Sequence, residues 1–288
     1  MDEPILKRLQ DLALVALVRV LLLLPFGLRV HLAGWIVAEV VGPIAGYRDR
    51  IDHNLTLVAP KLSELERQRL ARAVMFNAGR TVIENLSVDC ARALAAQTRI
   101  SGPGVQVLDK LRKTGGPAVF VSGHFGNHDI GRGTLAADGH YVGALYRNLT
   151  RSGFNKIYVQ SMAAVAEPIF LQDYGGMADM VRFLKLGGTL ALLIDQHAPS
   201  GEKLTFFGKP AYTSLSAAEL ALKHNAPFIP MYCLRGPDGR SFELIVEDPI
   251  PHTTAVEMTQ AFNDSLERRV RENMDQWLWI HRRWRMED

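Results

Sequence analysis

Residues 118–129 run Ala118-Val119-Phe120-Val121-Ser122-Gly123-His124-Phe125-Gly126-Asn127-His128-Asp129. Ala118 to Val121 form a short, continuous apolar run, the pattern of a strand buried on both faces. Gly123 and Gly126 then allow the chain to bend sharply. A helical pattern takes over at about residue 127 and continues to about 137. Strand, glycine turn and helix, in that order, are the building unit of an α/β sheet.

The same alternation extends outward on both sides. Tyr141–Tyr146, Pro168–Leu171, Thr189–Ile194, Pro227–Leu234 and Phe242–Val246 read as further strands. Helical patterns lie between them at about 104–113, 151–164, 176–186 and 214–224, and a long amphipathic helix follows from about Ala255 to Trp277. The expected fold class is α/β: a mixed, largely parallel sheet flanked by helices. Ahead of it the chain reads as helical. One helix is expected from Leu28 to about Ala45. Another begins near Ser63, where Ser63-Glu64-Leu65-Glu66 supplies an N-cap with acids in the first turn. The division is drawn as 1–95, a helical membrane-associating region, and 96–288, an α/β core.

Composition narrows the classes. With 48% hydrophobic residues, the 288-residue chain is rich enough in apolar side chains to build a core and is not a disordered protein. Its two cysteines, Cys90 and Cys233, rule out a disulfide framework or a Cys-x-x-Cys zinc site and read as packed thiols. A formal net charge of +3 hints at an anionic partner and no more. There is no internal repeat. Near the start, Leu12–Val18 and Val20–Leu24 form an apolar stretch broken by Arg19, between the mixed segment 2–8 and Pro25. No small-residue cleavage site follows, so a removed signal peptide is not expected. The stretch falls short of the roughly 20 residues a spanning helix wants. Arg8 and Arg19 return to one helix face, which suits a helix lying in the bilayer surface with its arginines at the headgroups. A single span and a buried core helix are the alternatives.

Ligands of open α/β sheets gather at the carboxyl edge of the strands. Three polar clusters follow predicted strands there: 122–129, 147–148 and 195–197. In the first, His124 can take a proton near neutral pH and Asp129 can orient the imidazole and balance its charge. Their spacing of five is about 140° of helical rotation, so they meet only if the segment is a turn entering a helix. The helix start would then offer free amides to an oxyanion.

His-x-x-x-x-Asp within Gly123-His124-Phe125-Gly126-Asn127-His128-Asp129 resembles the motif of the bacterial lipid A biosynthesis acyltransferases, the late, secondary enzymes of the lysophospholipid acyltransferase-like superfamily. Tyr146-Arg147-Asn148, Asp195-Gln196, Phe206-Phe207-Gly208-Lys209-Pro210-Ala211 with Thr213, Ala226-Pro227-Phe228-Ile229-Pro230 and Gln276-Trp277-Leu278-Trp279-Ile280-His281-Arg282-Arg283-Trp284 are similar to later segments of that family, in order, and Arg48 and Asn54-Leu55 to its N-terminal part. Two positions depart from it: His128 stands where the family often has Trp, and His197 where it often has an acid.

The resemblance implies a glycerolipid acyltransferase-like fold and transfer of an acyl chain from acyl-acyl carrier protein, or acyl-CoA, to a lipid hydroxyl. In the lipid A branch the acceptor is the 3-hydroxyacyl chain of a precursor. It implies His124 as general base and Asp129 as its partner, with no metal and no cofactor beyond the acyl donor. Its expected partners are acyl carrier protein, the lipid acceptor and the cytoplasmic face of the cell inner membrane, with no nucleic acid. Arg147 with Asn148 is a candidate for phosphate or thioester recognition, with an ordinary ion pair as the plain alternative. Asp195 and Gln196 are candidates for placing loops or sugar hydroxyls. Phe206, Phe207 and Gly208 suit a wall of the acyl groove or, equally, core packing. The C-terminal tryptophans and arginines suit a headgroup interface or a clamp on the core.

Three rival classes stand beside this one. Gly126-Asn127-His128-Asp129 matches the Gly-Asn-His-Asp of metal-dependent phosphoesterases, with Asp195-x-His197 as a second pair. The Asp-x-His and Gly-Asp-x-x-Asp runs that should precede it are absent. A serine hydrolase lacks its Gly-x-Ser-x-Gly elbow. A non-catalytic lipid-binding membrane protein predicts that His124 is dispensable.

Overall fold

The structure is a computed structural model that describes residues 3–285, with side chains from Lys7 onward. The first two residues of the expected N-terminal region and the last three of the expected core lie outside the described residues.

The helical part comprises α1 (Glu3–Leu22), α2 (Phe26–Ile36), a π-helical turn Val37–Val41 continuing into α3 (Gly42–Ile44), α4 (Tyr47–Val58), α5 (Glu64–Leu86) and α6 (Val88–Gln97). Ser63 caps α5 as its sequence predicts: its hydroxyl accepts the Glu66 N–H, and the Glu66 carboxylate accepts the Ser63 N–H in return. Among the described residues, the helix long and apolar enough to cross a membrane is Phe26–Ile44, only 28% buried. It is not the earlier stretch on which attention fell. Pro25 separates the two, and α1 ends at Leu22.

The sheet follows: β1 (Arg99–Ser101), β2 (Ala118–Ser122), β3 (Val142–Tyr146), β4 (Ile169–Leu171), β5 (Thr189–Leu193), β8 (Phe228–Arg235) and β9 (Phe242–Val246), in the spatial order β1-β9-β8-β2-β5-β3-β4. All neighbours are parallel except β8 and β9. Helices α7 (Val105–Thr114), α8 (His128–Ala137), α9 (Ser152–Val165), α10 (Tyr174–Lys185) and α11 (Ser216–Lys223) connect them. A separate hairpin, β6 (Glu202–Phe206) with β7 (Lys209–Thr213), stands off the sheet and was not foreseen. Phe207 and Gly208 both take positive φ, 54° and 68°, the signature of a tight two-residue hairpin turn. The last helix, α12 (Ala255–Glu272), stops short of the expected Trp277, and a 3-10 turn, Met274–Gln276, leads into a non-helical C-terminal segment.

One apolar core joins the two parts. Ala38, Ile51, Leu55 and Met75 of the helical part pack in one cluster with Val119 and Leu190 of the sheet and Phe262 of α12. Register then places the chemistry. Ser122 pairs with Leu193, and Ala144 with Ala191, so β2, β5 and β3 end level at the carboxyl edge. The residues that leave them, Gly123-His124, Ile194-Asp195 and Arg147-Asn148, emerge side by side.

Candidate active site

His124 leaves β2 and Asp195 leaves β5, on adjacent strands. The Asp195 carboxylate accepts the His124 backbone N–H at 2.8 Å through one oxygen and contacts the His124 ring Nδ1 at 2.7 Å through the other. The Trp277 indole N–H donates to the same carboxylate at 2.9 Å. Burial alone would raise the Asp195 carboxyl. The charge of His124 and the N–H groups of His124 and Trp277 outweigh it and hold the group at about 2. An ionised carboxylate only accepts hydrogen bonds, so Nδ1 of His124 carries a proton, and the lone pair of the ring's neutral form lies on Nε2. The Gln196 amide nitrogen lies 3.4 Å from that Nε2. The His124 side chain keeps 27% of its surface exposed, while Asp195 keeps 2%. The ring is therefore fixed from behind and open in front.

The loop that carries His124 is held on both flanks. Gly126 has φ +59°, and a Cβ there would run into the Cys233 carbonyl oxygen. Asn127 N–H donates to that carbonyl at 2.9 Å, Gly126 N–H to the Gln276 carbonyl at 2.9 Å, and Leu278 N–H to the His124 carbonyl at 3.1 Å. Strand β8 thus grips one side and the C-terminal segment the other. Asn127 is the N-cap of α8, its Oδ1 accepting the Ile130 N–H. Its amide donates to Glu84, which forms a buried two-bond ion pair with Arg235 at 2.6 and 2.7 Å.

The expected contact between His124 and Asp129 is not made. The bend at Gly126 turns His124 toward β5, whereas Asp129 lies in the first turn of α8 and faces α5 and α9. Asn85 donates to the Asp129 carboxylate at 2.8 Å, with Arg132 and His128 at 3.6 and 3.8 Å. The His128 ring stands between the two, edge-on to His124 with centroids 5.3 Å apart. Burial lowers the pKa of His128, which favours the neutral ring beside His124.

The other candidates divide. Gln196 is at the site. Arg147 and Asn148 sit exposed on the same edge, two strands from His124, and among the described residues Arg147 has no ion-pair partner. Asn148 is held by the Asn155 amide at 3.1 Å. Phe206 and Phe207 are core and do not wall a groove. At 1% and 4% exposure they pack into a cluster with Trp277, Trp279 and Trp284, because the tight turn at Phe207-Gly208 folds both rings inward. Those tryptophans are likewise buried, so the C-terminal run clamps the core and does not face headgroups. Of the four tryptophans Trp35 is exposed, on α2. Arg283, fully buried, ties the segment to Tyr212 and Thr213 of β7. Asn54 binds the carbonyls of Trp279 and His281. His281 Nε2 accepts the His197 N–H, and burial, outweighing the opposing charge of Asp195, lowers its pKa to about 4.

Three contacts around His124 are not legible in the sequence: Asp195 as the carboxylate at its ring, Trp277 as the third donor to that carboxylate, and the Glu84–Arg235 pair beneath Asn127. Asp195 and Trp277 each stood in a segment the sequence singled out, but not in these contacts; Glu84 and Arg235 had no signal.

With this geometry in hand, the model of the family described as bacterial lipid A biosynthesis acyltransferase matches residues 4–286. Among solved structures, the crystal structure of the 1-acyl-sn-glycerophosphate (LPA) acyltransferase, PlsC, from Thermotoga maritima is similar at 12% identity and a TM-score of 0.39, over 79% of this chain and 96% of that one. No curated protein matches.

Proposed function

The chain belongs to the bacterial lipid A biosynthesis acyltransferase family, and from that premise we propose that it moves a fatty acyl group from acyl-acyl carrier protein to a hydroxyl of a lipid acceptor, the 3-hydroxyacyl chain of a lipid A precursor. The observation that carries the reading is the 2.7 Å contact of His124 Nδ1 with the buried Asp195 carboxylate. It leaves Nε2 as a base at the open front of the site.

In this reading Nε2 takes the proton of the acceptor hydroxyl as its oxygen attacks the thioester carbonyl. Asp195 stabilises the imidazolium that forms. The tetrahedral intermediate collapses: the carbon–oxygen ester bond stays, the carbon–sulfur bond breaks, and the imidazolium returns its proton to the departing thiolate. Gln196 is placed to donate to the oxyanion or the acceptor, and the unpaired Arg147 to hold a phosphate of either substrate. Asp129 serves at one remove, holding His128 and the start of α8. No step needs a metal. Asn127, which the phosphoesterase reading would use as a ligand, spends its Oδ1 on the helix cap.

The same proposal places the enzyme on the cytoplasmic face of the inner membrane. In support, α1 presents exposed Leu9, Leu12 and Val20, the turn after it Leu23, and α2–α3 presents exposed Leu28, Trp35 and Ile44.

The test offers the protein acyl carrier protein thioesters of several chain lengths with a tetra-acylated lipid A precursor and weighs the products. A gain of one acyl unit supports the reading. An acceptor of unchanged mass, with phosphoester hydrolysis in its place, rejects it.

A further inference from the structure

Helix α9 covers the Asp129 side of the site and is held at both ends. At its C-terminal end Arg132 of α8, buried, donates to the carbonyls of Met162 and Ala166 at 2.7 and 2.5 Å. At its N-terminal end the cap residue, Arg151, offers no side-chain cap of its own. The cap comes from another helix, about 140 residues earlier in the chain. The Asp11 carboxylate of α1 accepts Gly153 N–H at 2.7 Å and Phe154 N–H at 3.1 Å. Two free amides at a helix start, with the dipole behind them, favour a carboxylate. Gln10 adds a bond from Arg151 at 3.1 Å.

Gly153 is fitted to this contact. A Cβ there would lie 2.9 Å from the Asp11 oxygen and 3.3 Å from Val15, closer than side chains normally come. Ordinary helix propensity would favour alanine at such a position.

At about 100° per residue, Leu9, Leu12 and Val20 fall within roughly 80° of arc on α1, and Asp11 and buried Val18 lie on the opposite side. The outward face is 50 to 66% exposed at those three residues. One face of α1 is thus free for a bilayer while the other caps α9. The capped turn also holds the loop that leaves β3: Asn155 accepts Leu149 N–H at 2.8 Å and donates to Asn148 at 3.1 Å. That loop begins with Arg147.

We infer that Asp11 is a positioning residue: through it the membrane-facing helix α1 fixes the first turn of α9, and with it the Arg147–Arg151 loop at the edge of the active site. The catalytic part of this inference rests on the acyltransferase reading; the clamp itself does not.

The experiment compares the full-length wild type with Asp11→Ala, Asp11→Asn and Gly153→Ala, in vesicles of phosphatidylethanolamine and phosphatidylglycerol. It follows amide hydrogen exchange at Leu149, Gly153 and Phe154, thermal melting and acyl transfer. In Asp11→Ala and Gly153→Ala those three amides are expected to exchange about tenfold faster. The kcat/KM is expected to fall about tenfold, mostly through a raised KM, because the loop that moves carries Arg147, the group given to a substrate phosphate. Asp11→Asn, which keeps an acceptor, recovers part of both. Unchanged exchange in either disrupting variant overturns the clamp. Faster exchange at Gly153 and Phe154 with Leu149 and KM unmoved overturns the positioning role. A wild type that transfers no acyl group sinks the functional reading, and the exchange data still decide the clamp.

Discussion

The indole N–H of Trp277 donates to the Asp195 carboxylate at 2.9 Å, on the same oxygen that accepts the His124 backbone N–H. A residue of the C-terminal segment therefore helps to keep the carboxylate ionised and aimed. Trp277→Phe removes the donor and keeps most of the ring. The expected result is a kcat lowered about tenfold, on the scale of one hydrogen bond to a charged group, with the melting temperature falling by a few degrees. A carboxyl NMR titration should show the Asp195 pKa rising.

His124→Ala is expected to cost about a hundredfold or more in kcat/KM, the scale of general-base removal. Asp195→Asn should cost a comparable factor, because the ring loses the acceptor that fixes its tautomer. Asp129→Asn should act differently. It is expected to retain more activity than Asp195→Asn while lowering stability by about 1–3 kcal/mol, because Arg132 and His128 lose their buried carboxylate. Steady-state kinetics with urea unfolding on the three variants separates these roles. Asp129→Asn more damaging to kcat than Asp195→Asn would reverse the assignment.

Acid should weaken the fold in two windows. His281 is held near 4 against an ordinary 6.5, so the unfolded chain binds the proton first and stability falls between about pH 6.5 and 4. Asp195 is held near 2 against 3.8, so its contribution is whole above about pH 4 and is lost as pH falls toward 2. Urea unfolding across pH 2 to 7 should show His281→Gln flattening the upper window and Asp195→Asn the lower.

Arg235→Met leaves Glu84 charged and buried beneath Asn127. A loss of about 3–5 kcal/mol is expected, as for breaking a buried ion pair from one side. Glu84→Leu combined with Arg235→Met should be less harmful than Arg235→Met alone. Denaturation midpoints of the single and double variants form the test.

Gly126→Ala meets two penalties at once: a positive φ and the Cys233 carbonyl in the space of the new methyl. Expression of folded protein should drop sharply, and any folded fraction should be inactive. A normal yield of active enzyme would show that the loop can move aside.

Much of this architecture was legible. The apolar runs at 118–121, 142–146 and 189–193 announced themselves because a strand buried on both faces has no alternation to disguise it. Ser63 and Glu66 marked a helix start through chemistry confined to four residues. β1 has three residues and no apolar run. The β6–β7 hairpin opens with Glu202 and Lys203 and carries Pro210, so its pattern is broken by charge and proline. The carboxylate in contact with His124 is hidden for a different reason. Asp129 is near His124 along the chain, whereas Asp195 is 71 residues away and adjacent only because β5 pairs with β2 in register. Strand order and register are properties of the whole sheet and leave no mark in a short motif. The place of the aromatic cluster stays open in the sequence likewise: phenylalanine and tryptophan look the same whether they line a groove or fill a core.

The grip of residues 276–284 on the site also bears on how a ribosome finishes this protein. Asp195 emerges 82 residues ahead of Trp277, on the order of ten seconds at ordinary rates of translation. Through that interval the sheet can assemble while its base and carboxylate lack their final fastenings. A nascent chain that has not reached residues 276–284 is therefore expected to hold a sheet whose centre is not yet fully fastened.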